Sequence, residues 1–148
     1  MDAADTSAVN LGLKFTASAG GFITGIRFYK ETDNTGSHVG SLWSATGSLL
    51  ATGTFSGETA SGWQQANLST PVSVTAGTTY VVSYHTNTGN YSADQTQFNT
   101  SIDRAPLHGL ASASSGGNGV YSYNANAVFP TNTYNGTNYY VDVVYVTP

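Results

Sequence analysis

The sequence predicts an all-β chain folded as an antiparallel two-sheet β-sandwich, jelly-roll or immunoglobulin-like, with about nine or ten short strands. Three observations carry this. From Leu11 onward apolar and polar residues alternate, and no stretch repeats with the period of an amphipathic helix. Only 8% of the 148 residues are charged, against about 25% in typical soluble proteins, so the Glu- and Lys-covered faces of solvated helices are missing. In their place stand 17 Ser, 21 Thr, 12 Asn and 17 Gly, the residues of strand surfaces, turns and hydroxyl-rich loops.

Taken in order, Leu11, Leu13 and Phe15 share one face of a first strand that ends at the small residues 17–21. Phe22, Thr24, Ile26 and Phe28 line a second, with Arg27 and Tyr29 opposite. A turn over 31–36 leads to short strands at 42–44 and 49–55, and a break at 58–62 precedes a strand at 63–68. Pro71 opens a brief edge-like strand at 71–74, and Ala76-Gly77 turns into 79–85, where Tyr80, Val82 and Tyr84 coincide on one face. Between 87 and 118 the pattern is polar and loop-like, with one extended piece at 96–99 and a linker-like run at 111–118. Strands at 120–124 and 139–146 close the chain, the last apolar on both faces apart from Asp142 and so read as a central strand. Leu13, Phe15, Ile26, Phe28, Leu42, Trp43, Trp63, Val82, Tyr84, Val141 and Val143 are the expected core. A single module over 1–148 follows, with 1–10 expected to be poorly ordered or to be the start of an excised piece, and to stand outside the fold.

Composition excludes several functions. Four Lys plus Arg against eight Asp plus Glu, a formal net charge of −4, cannot neutralise a phosphate backbone, so nucleic acid is not a partner. No apolar run approaches the roughly 18 residues that span a bilayer, so no membrane insertion is expected. The absence of cysteine removes disulfides, thiolate metal sites and a cysteine nucleophile.

Glycoside hydrolysis needs two carboxyls about 5 to 10 Å apart. Glu31, Asp33, Glu58, Asp94, Asp103 and Asp142 are available, but the loop members read as turn formers, no pair stands out, and no catalytic residue is assigned. His38, His85 and His108 lack the spacing of a zinc site and read as isolated surface or turn histidines. Oxygen ligands are denser: Glu31, Asp33 and Asn34 in one turn, with Asp142 in an apolar strand, make a candidate set for one structural calcium ion. No cofactor is required.

Sugar recognition asks for flat aromatics that stack on a pyranose, flanked by amides, hydroxyls or His. Three loops offer that combination, around 85–94, 121–126 and 132–138. Tyr91, Tyr121, Tyr123 and Tyr134 are the candidate platforms, with His85, Asn90, Asp94 and Asn124 as polar partners. Tyrosines in Asn- and Gly-rich loops have no strand alternation to send them inward. A charge-poor surface suits a neutral polysaccharide.

The strings Phe28-Tyr-Lys30, Asn34-Thr-Gly-Ser-His-Val-Gly-Ser-Leu-Trp43, Glu58-Thr-Ala-Ser-Gly-Trp-Gln64 and Pro71-Val-Ser-Val-Thr-Ala-Gly-Thr-Thr-Tyr80, closed by Asn138-Tyr-Tyr-Val-Asp-Val-Val144, resemble a bacterial family, domain of unknown function 4082. The resemblance runs from Leu11 to Val146, with Tyr140 where that family usually has Trp. It implies a β-sandwich module of secreted, multidomain bacterial proteins, and it implies no catalytic residues. The resulting expectation is a non-catalytic carbohydrate-binding module of a secreted or cell-surface protein, partnered by a polysaccharide or glycan and by neighbouring domains of a larger chain. The alternative is a structural or adhesive spacer with no small ligand.

Overall fold

Residues 2–148 are described by the computed structural model. Their strands are β1 (Val9–Ala17), β2 (Gly21–Lys30), β3 (His38–Ser44), β4 (Leu49–Thr54), β5 (Gly62–Val74), β6 (Tyr80–Thr86), β7 (Ile102–Arg104), β8 (Leu107–Gly109), β9 (Val120–Tyr123), β10 (Asn132–Thr133) and β11 (Val141–Val146). One four-residue helix, α1 (Ser112–Ser115), interrupts them. All strands pair antiparallel in two sheets. The larger runs β10-β9-β1-β6-β3-β4, with the β7-β8 hairpin attached to β1, and the smaller is β11-β2-β5. The molecule is thus an all-β sandwich, and among its described residues no helix is long and apolar enough to cross a membrane.

The core lies where period two sends alternate side chains between the sheets. From the larger sheet come Leu11, Phe15, Leu42, Val82 and Tyr84, and from the smaller Ile23, Ile26, Phe28, Val141 and Val143, all buried. Phe28 stacks on Tyr84 at 4.2 Å and meets Phe55 edge-on at 4.9 Å. A minor cluster of Trp43, Val81 and Val120 covers the outer face of β6, with the Trp43 indole N–H donating to Ser83 Oγ at 2.9 Å.

Of the expected core residues, Leu13 is half-buried and Trp63 is 46% exposed. The cause for Trp63 is register. In β5 the even-numbered Gln64, Ala66 and Leu68 point inward, and Gln64 folds back onto the turn before it, its Oε1 accepting from the Thr59 N–H at 2.9 Å and its Nε2 donating to Thr59 Oγ1 at 2.7 Å. A one-residue offset turns every side chain of a strand to the other face. Trp63 therefore stands outside, beneath the Arg27 guanidinium at 4.8 Å and edge-on to Tyr29 at 5.7 Å.

The strand buried on both faces is β6, not β11, which pairs with β2 alone and forms an edge. The pieces at 63–68 and 71–74 are one strand with a bulge, and the piece at 96–99 is a 3-10 turn that buries Phe98. The first strand starts at Val9, and Val9 and Asn10 are buried. Setting 1–10 outside the fold is thereby corrected for residues 2–10, Met1 lying outside the described residues: Val9 packs in the core, the Asp5 carbonyl accepts from the Asn90 N–H, and Asp2 bridges Ser92.

The linker-like run at 111–118 is corrected too. One edge of β1 pairs with β9 over Val9–Gly12 and with β8 over Phe15–Ala17, leaving a gap. Asn118, fully buried, fills it with its side chain. Its Oδ1 accepts from the Lys14 N–H at 2.8 Å while its Nδ2 donates to the Lys14 carbonyl at 2.9 Å and to that of Leu110 at 2.8 Å. The amide replaces a missing strand rung, meeting the demand that buried backbone groups be paired.

Candidate functional site

Four segments enclose a cavity of about 720 Å³: residues 2–5 ahead of β1, the loop after β6, the face of β9, and the loop before β11. Its walls include Tyr91, Tyr121, Tyr123, Tyr134 and Tyr139, with Asp2, Asp5 and Asp94. Backbone bridges fix the segments to one another. The Ala3 N–H donates to the Tyr91 carbonyl at 2.8 Å, and Asp94 and Asn138 exchange both of their backbone bonds at 3.0 and 2.9 Å. Asn90 at φ 50° and Asn135 at φ 49° are among the residues that take left-handed backbone where the loops turn, a conformation Asn tolerates well.

Side chains complete the frame. The Tyr91 hydroxyl donates to Asp5 Oδ2 at 3.2 Å, and the Tyr123 hydroxyl donates to the same oxygen. Tyr91 and Tyr121 each pack edge-on against Tyr139, at 5.7 and 6.5 Å, and Tyr121 meets Tyr123 at 5.7 Å. Tyr91 and Tyr139 are buried, Tyr121 is half-buried, and Tyr123 and Tyr134 are each 54% exposed. Burial pushes the Tyr139 phenol up to about 12 and Tyr91 higher still, so both stay protonated at any physiological pH. At Asp5 burial raises the carboxyl, but hydrogen bonds from Tyr123, Ser7 and Tyr91 outweigh it and hold the group below its ordinary value. Asp5 is ionised near neutrality.

The structure brings Tyr91, Tyr121, Tyr123, Tyr134 and Asp94 into this one cavity. His85, Asn90 and Asn124 are not in its wall. They hold the surrounding loops: His85 is buried with Nε2 at 3.0 Å from the Asn124 carbonyl, the Asn124 carboxamide oxygen accepts from the Asn126 N–H at 2.9 Å, and Asn90 donates to the Asp33 carbonyl at 3.2 Å. Asp5 and Tyr139 belong to the wall but not to the sequence candidates. Asp5 lies in the segment set aside, and Tyr139 reads as the start of an apolar strand; its doubled tyrosine, Tyr139-Tyr140, was the available signal. Tyr140, at φ 55°, separates the two rings, so that Tyr139 lines this cavity and Tyr140 a second.

That second cavity, of about 430 Å³, is lined by Arg27, Trp63, Arg104, Tyr140 and Asp142 among others. The Tyr140 hydroxyl donates to the Asp94 carboxylate, which with burial raises the phenol to about 12. Burial raises the Asp142 carboxyl, opposed by the Val143 N–H and the charges of Arg27 and Arg104.

Of the oxygen ligands considered for calcium, Glu31, Asp33 and Asn34 lie in the turn after β2 and Asp142 on β11. Glu31 accepts from Ser92 Oγ at 2.5 Å, and Asn34 Oδ1 lies 2.6 Å from Thr86 Oγ1 and 2.8 Å from His38 Nε2. Asp33 is exposed on the turn, while Asp142 lies on β11 and accepts from the Val143 N–H at 2.8 Å. Among the described residues no group of three or more His, Cys, Asp or Glu is placed to hold a metal ion. His38 also departs from its reading as a surface or turn histidine. It is fully buried, with Nδ1 2.8 Å from Glu58, itself 3.2 Å from Lys30 Nζ, and burial keeps its pKa low.

Fold and site together define an antiparallel β-sandwich module with an aromatic, acid-lined cavity. The chain belongs to the family described as Domain of unknown function (DUF4082), whose model matches residues 1–141. Comparison with curated proteins and with solved structures gave no match.

Proposed function

We propose that the chain is a non-catalytic carbohydrate-binding module, taking a polysaccharide or glycan in the tyrosine cavity and acting beside other domains of a secreted or cell-surface protein. The observation that supports this is the convergence of five tyrosines from two loops and strand β9 on one open cavity. Edge-on packing of Tyr91, Tyr121 and Tyr139 braces the inner wall, leaving Tyr123 and Tyr134 as exposed faces on which a pyranose can stack. Hydroxyl, carboxylate and amide groups around the rings supply acceptors and donors for sugar hydroxyls.

The test is affinity electrophoresis and pull-down on a panel of soluble and insoluble polysaccharides, with the wild-type chain and with Tyr123→Ala and Tyr134→Ala. Retention of the wild type and loss in both variants, at unchanged Tm, is the expected result. No retention on any glycan overturns the reading in favour of a spacer, and released reducing ends overturn it in favour of an enzyme.

A further inference from the structure

We infer that residues 2–7 are a detachable strap whose docking holds Tyr123 in place, so that glycan affinity in the tyrosine cavity follows the state of this segment. The inference rests on the carbohydrate reading above and names a regulation of that same site. The first support is how the segment is attached. It precedes β1 and joins no named strand, and its side chains are exposed apart from that of Asp5, which is half-buried. It is held by the Asp2–Ser92 bridge, by the Ala3 N–H on the Tyr91 carbonyl at 2.8 Å, by the Asn90 N–H on the Asp5 carbonyl at 2.6 Å and by the two phenols on Asp5 Oδ2. A segment that places no apolar side chain in the core belongs to the low end of local stability and lifts while the sandwich stays folded. Ala4, at φ 53°, adds backbone strain that lifting releases.

The second support is the unequal dependence of the two phenols on the strap. Tyr91 has its ring buried against Tyr139, which keeps it in place with or without Asp5. Tyr123 is 54% exposed, its ring meets Tyr121 edge-on at 5.7 Å, and its hydroxyl is anchored on Asp5. Lifting the strap therefore frees a stacking face while the inner wall stays intact, and a glycan must then order that ring itself. The third support is Gly89. Its backbone is left-handed at φ 62°, and a Cβ there would stand 1.9 Å from the Asp5 carbonyl oxygen, so the loop after β6 admits the strap because residue 89 has no side chain. Gly89 is not in the cavity wall. It is a lever on the strap alone.

The full chain is compared with Asp5→Ala, Asp5→Asn and Gly89→Ala by amide hydrogen exchange and by isothermal titration with four soluble polysaccharides, a β-glucan, a xylan, a galactomannan and a polygalacturonate. For a polysaccharide that the wild type binds, Asp5→Ala and Gly89→Ala are each expected to weaken affinity about fivefold, and Asp5→Asn, which keeps an acceptor oxygen, by no more than about twofold. In the two weakened variants the Asn90 amide exchanges faster while that of Leu11 stays protected. By reciprocity, the same polysaccharide at saturation slows Asn90 exchange in the wild type by the factor that lifting the strap costs in affinity. The Tyr123 phenol, raised above the ordinary 10 by its hydrogen bond to Asp5, titrates nearer to 10 in Asp5→Ala and Gly89→Ala, with Tyr123→Phe identifying its signal. Wild-type affinity in both variants overturns the inference while the carbohydrate reading stands. An Asn90 amide that exchanges no faster than that of Leu11 in the wild type also overturns it, since the segment then does not lift on its own. Affinity and Leu11 protection lost together in both variants overturn it in favour of a purely structural role. Absence of binding to all four polysaccharides overturns both readings.

Discussion

In the tyrosine cavity two phenols converge on Asp5 and the outermost rings, Tyr123 and Tyr134, stand in solvent; in the second cavity Arg27 lies over Trp63 and opposite Asp142 on the neighbouring strand. Both hold an aromatic, a carboxylate and polar side chains. They differ in what those groups already satisfy. The guanidinium of Arg27 is engaged by a ring within the chain, with Asp142 its register partner on the neighbouring strand, so a ligand there must compete with an existing contact. The stacking faces of Tyr123 and Tyr134 have water to displace. A list of residue types near a depression is therefore a poor guide to binding, and the pairing state of each group a better one.

That comparison breaks first at Tyr91. Its ring is buried against Tyr139, so Tyr91→Ala is expected to cost about 3 kcal/mol, a Tm fall of roughly 6 to 12 °C by thermal melting, rather than act on ligand alone. A near-wild-type Tm would show that the inner wall is as dispensable as the outer. Tyr123→Ala and Tyr134→Ala mark the other side, with stability changed by no more than about 0.5 kcal/mol and glycan affinity reduced roughly five- to tenfold each.

In the second cavity Asp142 carries the sharper test. Burial raises its carboxyl above the ordinary 3.8, so the native state holds that proton more tightly than the unfolded chain does. Its contribution to stability is then full below about 3.8 and is lost as pH rises through the folded value. Asp142→Asn should leave stability near neutrality equal or higher and flatten the pH dependence just above the ordinary carboxylate range, as measured by urea melts across that window. A marked loss of stability at neutral pH would mean that pairing with Arg27 and Arg104 outweighs burial. Smallest of all, Arg27→Ala removes a surface cation–π contact and should cost about 0.5 kcal/mol, leaving glycan binding unchanged.

Where apolar side chains recur at every second position, alternation was enough. Leu11 and Phe15 in β1, and Val82 and Tyr84 in β6, fall in the core as their spacing requires. Alternation fails where a polar side chain provides its own partners. Gln64 goes inward because its amide closes on the turn at 59–62, and Trp63 is then forced outward. Only the residues that follow distinguish that register from its opposite: Ala66 and Leu68 share the face of Gln64, while Gln65 and Asn67 share that of Trp63. Tyr91, Tyr121, Tyr123 and Tyr134 were legible as cavity residues because Tyr is conspicuous among Asn and Gly, whereas Asp5, in a segment with no hydrophobic period, shows its place in the wall only through rings that are distant in sequence. His38 was misread for a similar reason, its partners Asn34 and Glu58 lying in the turn before β3 and in the turn between β4 and β5.

The Asn118 rung makes one backbone proton unusually informative. Lys14 donates its amide hydrogen not to a strand but to a side chain 104 positions away, at a site whose neighbours on β1 are paired by β9 on one side and β8 on the other. Exchange of that hydrogen with solvent deuterium requires the 111–118 segment to leave the sheet, or the whole sandwich to open. Comparing its exchange rate with those of the amides of Leu11 and Phe15, which depend on ordinary strand partners, times the detachment of this segment separately from global unfolding. Equal rates would mean that a stretch with a linker's composition melts only when the core does.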